Sequence, residues 1–455
     1  MFATNSINGF SLKAWQGSTM TLLAMNIAEK PAEGSFAGFT LAYINPKGKK
    51  YYIKNLINFN GTNAITSSYI SPIQLFRWVH FPGSYQQTGM LTGGYTYMAT
   101  PRYFDGSKKL LSFDKSKTVS VKINVDDFTK AGFSMGFTRA FLKSQAFANR
   151  YGAEQKLLPA GDWLFDTNQK AGSKNNRDFT FENMYVWLGF SARKKTYGLL
   201  KEALDDDTIS VDMYAYDFND PVIAKMCLEL GAKGRIRMIM DNAALHTGPG
   251  AKEEDFQNRF NAIKTGDSEI FLCHFARYSH CKIIILKKKN KPFKVLTGST
   301  NFSYTGLYIN ANHVLVFDNK NAAAYYEEVF NACWKNGSAP AFRKTNFSQK
   351  QKHFNKPSLP ATDINFSPHT PENAKQIIDA ITHEVTDKKT ASVLFSVMEM
   401  GVNSTGSLIP ALRELHLNDA IYSYGVTDNS SGEISLYKPG VKNGLLINAK
   451  AANRE

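Results

Sequence analysis

Cysteine is scarce in this sequence, and its placement excludes a disulfide framework. The chain has 455 residues and four cysteines without CxxC spacing: Cys227, Cys273, Cys281 and Cys333. Disulfide-stapled folds and structural zinc sites need more cysteines or closer clusters of metal ligands. We therefore expect reduced thiols, no metal site and no cofactor.

Long apolar runs are also missing. No stretch approaches the roughly 20 residues that a membrane-spanning helix needs. The first residues, MFATNSINGFSLKAWQGS, have neither a basic start nor an apolar run that leads to a small-residue cleavage site. We therefore expect a cytoplasmic protein.

Negative charge is in short supply, most of all in the first third of the chain. The whole sequence carries 54 Lys and Arg against 39 Asp and Glu, a net charge of +15. Residues 1–150 hold 17 of the basic residues and 6 of the acidic ones, so this third contributes +11. Such a surface attracts phosphate polymers or anionic membranes. A solvated basic face would have the same composition, so both interpretations stay open here.

Composition and periodicity divide the chain into five segments. Residues 1–150 contain short alternating apolar and aromatic runs separated by Gly, Pro and Asn, which predicts an antiparallel β-sandwich. We expect this sandwich to be a binding domain or a domain that stabilises the protein. Residues 151–185 have weak periodicity and are predicted to connect this domain to the next. Residues 186–336 alternate helical and strand patterns, which is typical of an α/β lobe. Residues 337–371 contain five prolines and predict a linker to a second lobe at 372–455.

The two lobes share an order of predicted elements. In the first, a strand at 210–216 is followed by a helix and by a second strand that ends at Asp241. In the second, strands at 392–398 and 421–426 flank a helix, and Asp428 follows. This match predicts an internal duplication. The expected fold class is α/β, with duplicated lobes that each place a mixed sheet between helices, preceded by the β-sandwich.

The residues with chemical potential gather in one predicted hairpin of the first lobe. In the segment SHCKIIIL, His280 and Lys282 are two residues apart on a strand, so their side chains share a face. The returning strand ends at residues 297–298, and Ser299 and Asn301 follow it. An imidazole can attack phosphorus while the lysine and the amide neutralise its non-bridging oxygens. This set suits phosphoryl transfer and requires no metal.

The HxK pair followed by GSxN between two apolar strands resembles the signature of the phospholipase D superfamily, and the resemblance covers about residues 186–455. That superfamily includes phospholipases, metal-independent endonucleases, tyrosyl-DNA phosphodiesterases and phosphatidyl transferases. The resemblance implies that His280 is the nucleophile, or the general acid if the roles are exchanged. It further implies phosphate contacts from Lys282 and Asn301, and substrate contacts from Ser299 and Asn312.

Two departures from the family pattern bear on function. The family's aspartate five residues after the motif lysine is replaced by Lys287, as in some nucleic-acid-processing branches. The family also needs two facing HxK elements. His280 lies 39 residues after Asp241, and the same spacing from Asp428 leads to position ~467, past Glu455. A longer natural chain, a homodimer that supplies the second histidine, and a degenerate binder each explain this, and the partial second repeat favours the first.

The sequence thus predicts a metal-independent phosphodiesterase with a phospho-histidine intermediate, favouring a nuclease whose partner is DNA or RNA. One alternative is a phospholipase D or phosphatidyl transferase that docks on anionic membrane lipid. The other is a catalytically degenerate polyanion-binding protein. Two further histidines lie near the motif: His246, in a loop after the Asp-Asn strand end, is a candidate for the border of the cleft, whereas His274 is expected to be structural.

Overall fold

Two compact units make up the part of the chain that the computed structural model describes. The first lies within residues 1–334 and 354–360, and the second within residues 335–353 and 361–455. The described residues are all those outside the following positions and segments: 1, 30, 32–33, 56, 60–64, 84–86, 88–90, 141, 245, 249, 275–278, 336, 388–391, 398–408, 419 and 428–455.

The first 125 residues form two antiparallel sheets that share a core. One sheet has the strand order β1-β2-β3-β8 and the other the order β10-β9-β4-β5, and β6 pairs with β7 beside them. The strands, with a short 3-10 helix at Lys115–Lys117, are as follows: β1 (Phe2–Ile7), β2 (Phe10–Gln16), β3 (Thr21–Ile27), β4 (Phe36–Ile44), β5 (Lys50–Tyr52), β6 (Lys54–Asn55), β7 (Thr66–Ser67), β8 (Arg77–His80), β9 (Gly93–Tyr103) and β10 (Val119–Val125).

Alternation along the strands builds this core. In β10 the valines and the isoleucine at every second position are buried, and the residues between them are exposed. Leu12 and Leu23 from one sheet belong to the same buried cluster as Leu41 and Tyr97 from the other. Side chains on one face of each sheet therefore meet in the middle, which confirms the antiparallel sheets predicted at the amino terminus.

The next elements form a large mixed sheet with the order β11-β12-β20-β19-β18-β15-β16-β17. Strands β15, β16 and β17 are parallel to one another, and the other neighbours are antiparallel. A separate hairpin joins β13 and β14. The bounds are these: β11 (Thr129–Lys130), β12 (Phe133–Phe137), α1 (Gln145–Tyr151), β13 (Lys170–Lys174), β14 (Arg177–Thr180), α2 (Phe181–Asp205), β15 (Ile209–Ala215), α3 (Pro221–Ala232), β16 (Ile236–Asp241), α4 (Lys252–Ile263), β17 (Glu269–Cys273), β18 (Ile283–Lys288), β19 (Lys291–Gly298), α5 (Tyr304–Tyr308), β20 (His313–Phe317) and α6 (Lys320–Cys333).

Helices cover both faces of this sheet. On β15, Val211 and Met213 belong to the buried cluster that includes residues of α2 and α3. Tyr214, the residue after Met213, points to the other face and packs edge-on against Phe330 of α6, with ring centroids 5.4 Å apart. The α/β class with a mixed sheet between helices, predicted from the sequence, is thereby confirmed.

The sheet also recruits strands from before residue 150. β12 pairs with β20 in a register that sets Phe133 opposite Phe317 and Phe137 opposite His313. Phe147, in α1, is buried in the core of the α/β lobe. Residues 129–151 follow the sandwich in the chain, but their described part belongs to the sheet and the core of the α/β lobe.

The second unit repeats the strand, helix, strand order. β23 pairs in parallel with β24, as β15 does with β16. Residues 337–371, predicted as a linker, contain short helices and bury Phe342 and Ile364, because apolar residues stand between the prolines. The predicted Asp428 lies outside the described residues. The bounds are α7 (Ala339–Arg343), α8 (Asn346–Gln349), β21 (Lys352–Phe354), β22 (Thr362–Ile364), α9 (Pro371–Thr386), β23 (Ser392–Val397), α10 (Ile409–Leu417) and β24 (Tyr422–Thr427).

Across the described residues, no helix combines the length and the apolar character that a membrane crossing requires.

Lys287, which stands where the family pattern has an aspartate, belongs to a buried ion cluster on the α6 side of the sheet. Its Nζ lies 2.6 Å from Oδ2 of Asp212 and 3.6 Å from Oε1 of Glu327. The guanidinium of Arg237 donates to both oxygens of Asp212, at 2.8 and 2.7 Å, and its Cζ lies 5.2 Å from the ring centre of Trp334. Asp212 is fully buried. One carboxylate thus compensates two cations between β15, β16 and β18.

Replacing Asp212 with asparagine tests this cluster. The change removes the counter-charge that the buried Lys287 shares with the partly buried Arg237, and we expect the free energy of unfolding to fall by about 3–5 kcal/mol. Urea unfolding followed by tryptophan fluorescence measures it, since Trp334 packs on Arg237. Glu327→Gln is the matched control and should cost less than about 1 kcal/mol, because its carboxylate is more distant and partly solvated. Equal losses in the two variants would show that Asp212 does not organise the cluster.

Candidate active site

The ends of five strands meet at one edge of the large sheet. β15, β16 and β17 are parallel, so their carboxyl ends lie together, and β18 is antiparallel to β15, so its start lies at the same edge. β19 returns to this edge because it is antiparallel to β18. Ligands of open α/β sheets bind at such carboxyl ends. The edge carries Tyr216 and Asp217 after β15, Asp241 at the end of β16, His280 and Lys282 before β18, and Ser299 and Asn301 after β19.

Tyr216 is the centre around which the motif residues pack. Its ring meets the ring of His280 edge-to-face with centroids 4.5 Å apart, and the ring of His246 in the same manner at 4.8 Å. The Nζ of Lys282 lies 4.9 Å from the centre of the Tyr216 ring. The structure brings His280 and Lys282 together on an aromatic support that the sequence did not indicate. Both residues were predicted to lie on a strand, but they precede β18, which begins at Ile283.

His280 and Lys282 have complementary protonation states. Loss of water contacts and the neighbouring Lys282 charge lower the pKa of His280 to about 4, so its imidazole is neutral at pH 7. Lys282 is buried and donates to the main-chain oxygen of His280 at 2.7 Å. Burial lowers the pKa of Lys282 to about 8, partly offset by Cys281, Asp217 and Asp241. A neutral imidazole thus stands beside an ammonium that is still protonated at neutral pH.

Asn301 lies at the same edge of the sheet, where it is hydrogen-bonded to Asp217. Its Nδ2 donates to Oδ2 of Asp217 at 2.7 Å, and its Oδ1 is buried without a hydrogen-bond partner among the described residues. Burial raises the pKa of Asp217, against the opposing charge of His246. Gly298, the glycine of GSxN, has φ +145°, and a Cβ there would lie 2.3 Å from the main-chain oxygen of His313. The motif needs glycine because β20 passes too closely for any side chain.

The predicted substrate contacts Ser299 and Asn312 make hydrogen bonds within the protein. The hydroxyl of Ser299 is 3.1 Å from Nδ1 of His313 and accepts from the His313 main-chain N–H. The Nδ2 of Asn312 donates to the carbonyl oxygen of Gly306 in α5 at 2.9 Å. Ser299 is exposed at the edge. These bonds fix the GSxN turn against β20 and α5, and substrate contact by either residue stays a prediction.

His246 occupies a group of three carboxylates behind the motif. Its Nε2 lies 3.6 Å from Asp217 and 3.7 Å from Asp241, and its Nδ1 lies 3.5 Å from Glu253. Burial alone would lower the pKa of His246, but its hydrogen bond with Glu253 and the three negative charges raise it overall. The predicted position of His246 beside the cleft agrees with its contact to Tyr216.

Several of these neighbours had only a weak sequence signal. Tyr216 and Asp217 are the first residues after β15, and a polar residue at a strand end is a candidate for a site. Glu253 accepts from the main-chain N–H of Phe218 at 2.9 Å, a contact 35 positions apart in the chain. His274 pairs with the side chain of Asn242. Within the described segments, no group of three His, Cys, Asp or Glu side chains is arranged to hold a metal ion.

Comparison with known proteins agrees with this geometry. Residues 200–334 match the family model described as cardiolipin synthase, PLD-like domain. A curated relative, phospholipase D from Rickettsia bellii, is 25% identical over 128 residues, which is 28% of this chain. The chain spans 58% of the length of that relative. Residues 200–334 therefore contain a phospholipase D-like domain.

Solved structures with a related fold include two from bacteria. NucT from Helicobacter pylori is 15% identical, with a TM-score of 0.27, and the alignment covers 31% of this chain and 89% of NucT. Nuc from Salmonella typhimurium, a phospholipase D family member, is 21% identical, with a TM-score of 0.26, and the alignment covers 37% of this chain and 91% of Nuc.

The coupling between His280 and Lys282 is measurable by titration. NMR of histidine-labelled protein should show His280 titrating near pH 4. In Lys282→Met the pKa should rise without reaching its ordinary value, because burial remains the larger cause of the shift. Lys201→Met, which removes an exposed lysine of α2, is the control and should leave the titration unchanged. A His280 pKa that is the same in both variants would contradict the coupling.

Proposed function

We propose that this protein is a phosphodiesterase in which His280 attacks phosphorus and forms a covalent phospho-histidine intermediate. The observation that carries the proposal is the neutral imidazole of His280 beside the buried, protonated Lys282 at the open edge of the sheet. Nucleophilic catalysis of this kind splits a difficult hydrolysis into two displacements. Lys282 and Asn301 would neutralise the charge that builds on the phosphoryl oxygens.

The first displacement forms a nitrogen–phosphorus bond at His280 and breaks the bond from phosphorus to the leaving oxygen. That oxygen takes a proton from an acid, and water then displaces the imidazole from phosphorus. The family pattern assigns the acid to a second histidine. A second histidine, from a homodimer or from a longer chain, would have to be protonated to act as this acid, so it would differ from the neutral state of His280. His246 supports the site instead from behind, where three carboxylates enclose it.

We infer that the substrate is nucleic acid and that this protein is a nuclease that needs no metal. The excess of basic residues, +11 in the first 150, favours binding to a phosphate polymer. The replacement of the motif aspartate by Lys287 also supports this choice. All four cysteines are free thiols, which fits a reducing compartment such as the cytoplasm.

A lipid phosphodiester is the second candidate. The matched family model bears the description cardiolipin synthase, and the curated relative is named phospholipase D. The catalytic proposal is the same for both substrates, because each presents a phosphodiester to His280. Release of head groups from anionic vesicles, without cleavage of polynucleotides, would favour the lipid.

Cleavage in EDTA tests the nucleophile. We expect the protein to cut labelled single-stranded or double-stranded DNA or RNA in excess EDTA, and we expect His280→Asn to lose at least about 1,000-fold in rate, because the carboxamide cannot form the intermediate. His383→Asn, at an exposed position on α9, is the control and should retain full activity. The proposal fails for nucleic acid if cleavage is absent or if His280→Asn cuts as well as the unaltered protein.

The pH dependence of kcat/KM tests the two protonation states. Below a pH of about 4 His280 becomes protonated and loses its nucleophilic lone pair, and above a pH of about 8 Lys282 loses its charge. We therefore expect a bell-shaped profile with limbs near these values. Lys282→Arg should lower the plateau and remove the alkaline limb, because a guanidinium stays protonated throughout this range. An alkaline limb that persists in Lys282→Arg would rule out this assignment.

A further inference from the structure

A groove lies on the sandwich, on the outer face of the sheet β10-β9-β4-β5. It encloses about 310 Å³, at the lower end of the range of roughly 300–1,000 Å³ that is typical of ligand sites. Its floor includes Thr100 and Thr118, whose hydroxyls are 2.8 Å apart. The groove belongs to a different sheet from the catalytic edge, and its binding function does not rest on the proposed catalysis.

A buried arginine without a carboxylate lies beneath this groove. Arg102 is 5% exposed, and among the described residues no acidic side chain pairs with it. Its guanidinium donates to Oγ1 of Thr40 and to the carbonyl oxygens of Tyr69 and Leu111, at 2.8–3.0 Å. Its Nε is buried with no hydrogen-bond partner within the described chain. Because neutral oxygens do not cancel its charge, Arg102 leaves the groove electropositive.

Aromatic rings line the groove above Arg102. The rings of Tyr52 and Tyr69 are 5.1 Å apart, those of Tyr69 and Phe113 are 5.4 Å apart, and Tyr69 is 42% exposed. The guanidinium carbon of Arg102 lies 5.5 Å from the Tyr69 ring centre and 5.6 Å from that of Phe113. An accessible ring held against a buried cation is a rigid platform on which a planar group can stack.

Two exposed lysines flank the rings at the rim of the groove. The Nζ of Lys50 lies 5.1 Å from the ring centre of Tyr52, and Lys115 also lines the groove. The neighbouring carboxylate, Asp114, accepts hydrogen bonds from the backbone and side chain of Ser116. Lysines at the rim and a stacking ring between them match the alternation of phosphates and bases in a polynucleotide.

We propose that this aromatic-basic groove binds single-stranded nucleic acid, with a base stacked on Tyr69 and the flanking phosphates against Lys50 and Lys115. The uncompensated charge of Arg102 attracts the nucleic-acid backbone. Because Arg102 is buried, its guanidinium does not reach the base edges and favours no particular base. The contact set contains no arrangement that reads base edges, so binding should tolerate sequence.

Binding of a short fluorescein-labelled oligothymidylate, followed by fluorescence anisotropy, tests the groove. All variants carry His280→Asn, so that cleavage does not consume the probe and a failure of catalysis is separate from a failure of binding. Tyr69→Ala should weaken binding by about 5-fold or more, because it removes the stacking ring. Tyr69→Phe, which keeps the ring, should restore the affinity to within about 2-fold.

The lysines are tested by the salt dependence of the same binding. Lys50→Ala with Lys115→Ala should reduce the slope of log Kd against log salt by about 1.4, because two phosphate contacts are lost. The control, Lys13→Ala with Arg77→Ala, removes the same charge from the outer face of the other sheet. An equal change in the control would show general electrostatic attraction and would overturn the site. So would intact binding in Tyr69→Ala, or binding of phosphatidylserine vesicles in place of the oligonucleotide.

Discussion

The candidate site depends on the buried carboxylate of Asp241, which connects the strand edge to the motif. Asp241 ends β16, is 1% exposed, and accepts main-chain N–H groups from Ser279, just before the motif histidine, and from Ala243. It also lies 3.7 Å from the imidazole of His246. A buried carboxylate needs such partners, since an unpaired one is costly. By satisfying Asp241, the main chain at Ser279 fixes the position of His280 ahead of β18.

The two buried lysines of the sheet, Lys287 and Lys282, differ in whether a carboxylate pairs with them. Lys287 is compensated by Asp212 at 2.6 Å and contributes to packing against α6. Lys282 makes no ion pair within the described residues, and burial lowers its pKa to about 8. A fully compensated cation has little attraction left for an anion, whereas an uncompensated one in dry surroundings has much. Lys287, which stands where the family pattern has an aspartate, is therefore held by the packing of the lobe, whereas the motif lysine makes no ion pair among the described residues.

Local patterns in the sequence predicted the parts of the site that lie close together in the chain. The two-residue spacing of His280 and Lys282 predicted their shared face, and the hairpin predicted that Asn301 returns to it. Tyr216 could not be found this way, because its contacts with the motif depend on the register of β15 and β18. His246 was a candidate only through its place in a loop after a strand end. The pairing of β12 with β20, across about 180 positions, was missed for the same reason. A strand of five residues carries too little pattern to reveal its partner.

Arg102 and Lys282 are in similar electrostatic surroundings, although they belong to two separate sheets. Each is a buried cation that the described chain does not pair with a carboxylate, and burial lowers the pKa of both. The free energy needed to remove each cation from water is supplied by folding, before any ligand binds. An anion that enters then gains a strong interaction without reorganising the protein. Carboxylates that paired with these cations would stabilise the fold, but they would weaken the phosphate binding that we propose at both places.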